Sequence, residues 1–439
     1  MSELRIWPVT RLKGRCRVPG DKSISHRAAL LGALAKGTTR VRGFLWAGDP
    51  LATLDCLHRM AVPIARRGTE LFIHGQGKDG LQTPGQPLDA RNSGTTARLL
   101  MGLLAGAWGE RTGTRAIITG DQSLQKRPMR RVVDPLRMMG ADVRWVGQEG
   151  CLPLAVIGGS PLQGREYHLP VATAQVKGAL LLAGLHSQGT TVVCEDQISR
   201  DHTERMLPSF GVAVQVSDVS GGQRLVVQGG QHLVAGDVVV PGDISSAAFL
   251  VAAALLVPDA ELVLTGVGLN PTRTGFLQVV QTMGGQVEVV AFDNRTGEPV
   301  GDLLIRGGQD LHGTTIDHTL IPRLVDEIPV LAVLACFAHG ETVIRDAQEL
   351  RYKESDRLRT LALELNRLGG EVAEQPDGLV IRGQGGLRGG KCDSHGDHRL
   401  ALAFATAGLA AQEPVSVLGA ECMDVSFPGF SALCRRLIS

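Results

Sequence analysis

A chain of 439 residues whose 45 Lys and Arg almost cancel its 44 Asp and Glu, with 43% hydrophobic but only 4% aromatic residues, has the apolar content for two domain cores and no charge excess. That balance excludes a polybasic nucleic-acid surface with interleaved stacking side chains. Any cationic site must be local.

In chain order, the opening MSELRIWPVTRLKGR lacks the apolar segment of a signal peptide. Cys16 begins a scattered set (Cys16, Cys56, Cys151, Cys194, Cys336, Cys392, Cys422, Cys434) with no C-x-x-C pair. This argues against a zinc cage, a redox motif or a disulfide framework, and suits a reducing cytoplasm. From Val18, VPGDKSISHRAALLGALAKGTTRVRG reads as a polar opening, an Ala/Leu-rich helix, a glycine break and a β-branched strand. The unit returns as RNSGTTARLLMGLLAGAWGERTGTRAIITG from Arg91 and PVATAQVKGALLLAGLHSQGTTVVCE from Pro170. It returns again as VPGDISSAAFLVAAALLVPDAELVLTG from Val240, VDEIPVLAVLACFAHGETVIRD from Val325 and HGDHRLALAFATAGLAAQEPVSVLG from His395.

Between these lie DPLATLDCLHRMAV, RRVVDPLRMMGADVRWV, DHTERMLPSFGVAVQV, TGFLQVVQTMGGQVEVV and ESDRLRTLALELNRLGGEV, mostly amphipathic helices that end at Gly and run into a strand. The first set, apolar nearly all round, is predicted to be buried, with the second set outside it. Six units with a period of about 70 to 80 residues, the first and fourth sharing V-P-G-D-x-S, point to duplication of an α/β unit, three per domain. The two V-P-G-D stretches then mark the joints, so that residues 21–240 form one domain and 1–20 with 241–439 the other. The longest apolar run, AAFLVAAALLVP, is too short for a bilayer.

Five of the six apolar helices open on short polar residues: Ser23 and Ser25; Asn92, Ser93 and Thr95; Thr173; Ser245 and Ser246; Asp397 and His398. Such residues cap free N–H groups, and several helix N-termini turned to one cleft attract anions. A lone basic residue is usually a solvated charge. Here Lys22, Arg27, Arg98, Arg127, Lys177, Arg200, Lys353, Arg357 and Arg399 recur on or near these openings, which points to anionic ligands.

At PGDKSISHRAALL, RNSGTTARLL, GDQSLQKRPM, RYKESDR and GDHRLALA the sequence resembles the 5-enolpyruvylshikimate-3-phosphate synthase family, in order along essentially the whole chain. RDHTE at Arg200, AQVK at Ala174 and NPTR at Asn270 look like its class II branch. The resemblance implies a two-domain inside-out α/β barrel, each domain three βαβαββ repeats, hinged by two crossovers with the active site in the interdomain cleft. It implies transfer of the enolpyruvyl group of phosphoenolpyruvate to the 5-hydroxyl of shikimate 3-phosphate, through a tetrahedral intermediate that expels phosphate, in aromatic amino acid biosynthesis. Residue by residue, it puts Lys22 and Arg127 on the phosphoenolpyruvate phosphate with Gly94 beside it, and Arg357 and Arg399 on the carboxylate. Lys22, Ser23, Arg27, Thr173, Ser199 and Arg200 would hold shikimate 3-phosphate, with Gln175 between the two ligands. Asp326 and Lys353 would reach the ring hydroxyls, and Lys22, Asp326 and Glu354 would serve proton transfer. The implied partners are these two substrates, without metal, organic cofactor, nucleic acid or membrane, and the implied state is a cytoplasmic monomer. For glyphosate, a phosphoenolpyruvate mimic, the small Gly94 favours inhibition and the class II features favour tolerance.

The chain departs from the family pattern at four places. Val425 stands where many members have a lysine before the C-terminal FP, and Thr173-Ala174 where many have two serines. Glu349 replaces an asparagine and His202 a tyrosine. Two alternatives remain: the sister transferase acting on UDP-N-acetylglucosamine, whose reactive loop cysteine is absent from GDQSLQKRPM, and a non-catalytic anion-binding relative. HGQGKDG from His74 matches a dinucleotide fingerprint but leads into prolines instead of a helix, and reads as a turn.

Overall fold

The computed structural model, which describes residues 2–294 and 297–438, shows what the two V-P-G-D stretches do. The strand Arg11–Cys16 precedes the first stretch yet pairs in parallel with Asp259–Gly268, the strand after the helix that follows the second stretch. Conversely, Asp237–Val239 precedes the second stretch and pairs in parallel with Lys36–Arg42, the strand after the helix that follows the first. Each V-P-G-D therefore takes the chain from a sheet of one unit into an inner helix of the other. The chain divides accordingly into two compact units, Met1–Pro19 with Pro241–Ser439, and Gly20–Val240.

In both copies the aspartate is the cap. Asp21 accepts from the Ile24 N–H at 2.8 Å, and Asp243 from the Ser245 N–H at 2.9 Å. This corrects the expectation that the serines of those two helices do the capping. A carboxylate at this place also complements the positive helix end.

The unit Gly20–Val240 holds three four-stranded sheets, and each follows one order. Leu88–Asp89, for example, lies parallel to Arg115–Thr119, beside which Leu154–Ile157 and Asp142–Trp145 run as an antiparallel pair. A strand, helix, strand crossover gives the parallel pair, and a hairpin gives the antiparallel one. The other unit repeats this order in two sheets. Its third sheet departs from the expected βαβαββ pattern. Gly390–Asp393 lies parallel to Val415–Leu418, whose other neighbour is the N-terminal strand Glu3–Ile6, with Glu3 opposite Leu418, so the sheet has three strands.

The apolar helices form the cores. Every residue from Ile24 to Leu34, from Ile244 to Leu255 and from Ile328 to Cys336 is buried. Their small residues allow close packing: a Cβ on Gly102 would lie 2.1 Å from the Ala179 carbonyl oxygen, so the helices Gly94–Trp108 and Ala174–Gly184 meet nearly backbone to backbone. The second set is amphipathic, as in Arg357–Arg367, which buries Leu358, Leu361 and Leu365 and exposes Leu363. No helix among the described residues is long and apolar enough to cross a membrane.

Candidate active site

In the unit Gly20–Val240, side-chain hydrogen bonds tie together the N-terminal ends of three inner helices. Arg27, buried on the helix Lys22–Leu34, donates from Nε to Thr203 Oγ1 at 2.7 Å and from Nη2 to the Ala174 carbonyl at 3.3 Å. Gln175 donates to Thr95 Oγ1 at 3.0 Å and accepts from Arg98 Nη1 at 2.7 Å. Lys22 Nζ lies 2.9 Å from Asp49 Oδ2, and Arg127 Nη2 donates to Asn92 Oδ1 at 2.6 Å. A Cβ on Gly94 would sit 2.6 Å from Arg98 Nη1 and 3.7 Å from Arg127 Nη1. Lys22, Ser23, Arg27, Gly94, Arg127, Thr173 and Gln175 thus belong to one connected surface. Thr173 stands at the cap position of Ala174–Gly184 but its side chain makes no capping hydrogen bond.

His26, which only the first V-P-G-D copy carries, is structural. Its Nδ1 lies 2.7 Å from Thr53 Oγ1, which is 2.7 Å from Thr96 Oγ1, which in turn donates to the Ser93 cap at 2.8 Å. Burial, reinforced by Lys22 and Arg27, holds the imidazole well below its ordinary pKa, so it is neutral. This chain of hydroxyls braces the turn that leads into Gly94.

Lys177, one of the basic residues near the helix openings, is turned inward to carboxylates and is not available to an anionic ligand. It is fully buried between Glu195 Oε1 at 2.6 Å and Glu204 Oε1 at 2.7 Å, and it also donates to the Ser199 carbonyl at 3.2 Å. Glu195 takes both the Ser199 N–H, at 3.2 Å, and the Ser199 hydroxyl, at 2.7 Å. The triad therefore fixes the segment that carries Ser199 and Arg200.

In the other unit the centre is Arg357, which is 1% exposed. Its Nε donates to Asp397 Oδ2 at 2.8 Å, Nη2 to Glu354 Oε2 at 2.7 Å, and Nη1 approaches Asp326 Oδ1 at 3.5 Å. Burial opposes the charge, but Asp397, Glu354 and Asp326 outweigh it and raise the guanidinium pKa further. Lys353 Nζ stands 4.0 Å from Asp326 Oδ1 and 3.8 Å from Glu349 Oε1. Asp397 also caps the helix His398–Gly408, accepting from the Arg399 N–H at 2.9 Å. The Arg399 guanidinium lies 5.9 Å from the Phe249 ring centre, and its buried Nη1 has no hydrogen-bond partner among the described residues. Val425, at the end of the turn Ala420–Val425, offers no charge.

The loops before two of these helices are built alike. Asp89 accepts from the Arg91 N–H at 2.8 Å, and Asp393 from the His395 N–H at 2.7 Å. Arg91 and His395 have φ of 52° and 51°, in the left-handed region that non-glycine residues seldom occupy. Each turn sets the cap two residues on, Ser93 or Asp397. The sequence marks Asp397 as a cap but not as a partner of Arg357, and it gives no role to Asp49, Glu195 or Glu204. The only signal for Asp397 was its place in G-D-H-R, directly before a helix opening.

Residues 6–433 match the family described as EPSP synthase (3-phosphoshikimate 1-carboxyvinyltransferase). Relatives named 3-phosphoshikimate 1-carboxyvinyltransferase from Synechococcus sp. (strain JA-3-3Ab) and Desulforamulus reducens are 52% and 49% identical, over 99% of this chain and 97% and 99% of their own. A solved EPSP synthase from Acinetobacter baumannii matches with a TM-score of 0.87 at 41% identity, covering 100% of this chain and 98% of that one. Architecture alone would leave function open. Agreement of this extent in sequence and structure together does not, and the chain belongs to the EPSP synthase family, with its two-domain inside-out α/β fold.

Proposed function

We propose that this chain, an enolpyruvyl transferase of the shikimate pathway by its family, joins phosphoenolpyruvate to the 5-hydroxyl of shikimate 3-phosphate by addition and elimination, acting in the cytoplasm as a monomer. The unit Gly20–Val240 would take the phosphate-bearing ends of both substrates, using Lys22, Arg127 and Gly94 for one and Ser23, Arg27, Thr173, Gln175 and Arg200 for the other. The observation that carries the reading is Arg399. A buried guanidinium with an unsatisfied Nη1 is costly, and a carboxylate supplies the matching charge and acceptors. Arg357 differs, because carboxylates already engage it. Its share of the phosphoenolpyruvate carboxylate would require Glu354 or Asp326 to turn away, which would release that carboxylate for proton transfer. Ser199 would likewise have to turn from Glu195 to meet a phosphate, so its first role is to position Arg200.

Phosphate release should occur with phosphoenolpyruvate and shikimate 3-phosphate, and not with UDP-N-acetylglucosamine; turnover with the nucleotide sugar alone would reverse the assignment. Repeating the assay with glyphosate decides whether Gly94 admits that mimic. Gly94→Ala should raise KM for phosphoenolpyruvate by about tenfold, the worth of one charge-assisted hydrogen bond, because the new Cβ pushes Arg98 off Gln175. The obstructing atom is the tip of a flexible side chain, so Tm should hold. An unchanged KM would remove Gly94 from the phosphate site.

A further inference from the structure

We infer that the sheet containing Glu166–Leu169 and Thr190–Glu195 carries a site for a borderline divalent transition ion, Zn2+ or Co2+, with Glu166, His168 and Cys194 as its protein ligands. None of the three belongs to the set proposed to bind substrate.

Backbone geometry puts them together. The two strands run parallel with His168 opposite Cys194, and Glu166, two residues before His168, shares its face. Glu166 and His168 are exposed, while Tyr167 and Leu169 between and after them are buried. One donor atom from each of the three lies within 4.8 Å of the others, and His168 Nε2 is 3.3 Å from Glu166 Oε1. Ligands of tetrahedral Zn2+ stand roughly 3.4 to 3.8 Å apart, so rotamer adjustments of exposed side chains suffice. A thiolate, an imidazole and a carboxylate form a mixed set that favours Zn2+ or Co2+ over Mg2+ or Ca2+, and three protein ligands leave one position for water. The ligands sit on paired strands instead of a loop, which fixes their spacing.

A competitor is built into the same face. Arg224 is the register partner of Cys194 on its other side, and its Nη2 lies 3.6 Å from Glu166 Oε2. An incoming ion must displace this guanidinium from the carboxylate. On the opposite face the next residue, Glu195, holds Lys177 and Ser199. Sequence spacing hid the site, because Cys194 has no neighbouring cysteine and meets His168 only through strand pairing.

The test is titration of the purified chain with Co2+, followed by the near-ultraviolet thiolate-to-cobalt charge-transfer band and by displacement with Zn2+. A saturable band that Zn2+ removes is expected, and Cys194→Ser should abolish it. His168→Ala, at an exposed position, should weaken binding by about tenfold or more. Arg224→Gln should strengthen it by roughly fivefold, since a competing cation is gone. No band at millimolar Co2+, a band that survives Cys194→Ser, or unchanged affinity in both His168→Ala and Arg224→Gln would overturn the site.

Discussion

Replacing Glu354 by Gln should lower kcat by roughly a hundredfold or more while leaving shikimate 3-phosphate binding nearly intact. The amide keeps the length of the side chain and can still accept from Arg357 Nη2, now 2.7 Å from Glu354 Oε2. What it loses is the capacity to take and return a proton. The fold should tolerate the change, because Arg357 keeps Asp397, whose side chain is fully buried, along with Asp326. Stability should therefore move little, and steady-state kinetics with unchanged Tm would separate a chemical defect from a structural one. A variant with near-normal kcat would exclude Glu354 from proton transfer and leave Asp326 as the carboxylate to test. A large fall in Tm would instead mean that Glu354 serves mainly to neutralise Arg357.

The repeats were legible because helix and strand periods are local signals, and V-P-G-D-x-S occurs twice. The joints were read from the same repeats, but which strands pair as a result, such as Arg11–Cys16 with Asp259–Gly268, depends on contacts between distant segments. The three-stranded sheet was hidden for the same reason, since its third member comes from the opposite end of the chain. The serines after V-P-G-D looked like caps by residue type, but the aspartate stands two positions earlier, where its carboxylate meets the free N–H groups. Lys177 was misread for a deeper reason. From its own helix it is a basic residue near an N-terminus, and only the folded chain brings Glu195 and Glu204 to it.

That triad supports the second large effect: Lys177→Met should destabilise the protein by about 3 to 5 kcal/mol, because it leaves Glu195 and Glu204 buried without their ammonium partner. The midpoint of thermal unfolding should fall by roughly 6 to 20 °C. The deficit should also depend on pH. Burial already raises the pKa of Glu204, with Lys177 acting against it, so removing the lysine pushes the carboxylate pKa higher. A group with a raised folded pKa favours the folded state below its unfolded pKa and loses that contribution as pH rises through the folded value. Stability lost by the variant should therefore be smaller near about pH 5 than near about pH 8. In the parent chain burial opposes the Lys177 charge, but Glu204 and Glu195 prevail and raise its pKa, so the ammonium is retained throughout that window and the comparison isolates the carboxylates. Adding Glu204→Gln to Lys177→Met removes one of the stranded charges and should recover part of the loss. Denaturant unfolding at the two pH values would measure all three chains. An equal deficit at both, or no recovery in the double variant, would mean that the lost packing of the lysine stem, and not the uncompensated carboxylates, sets the cost.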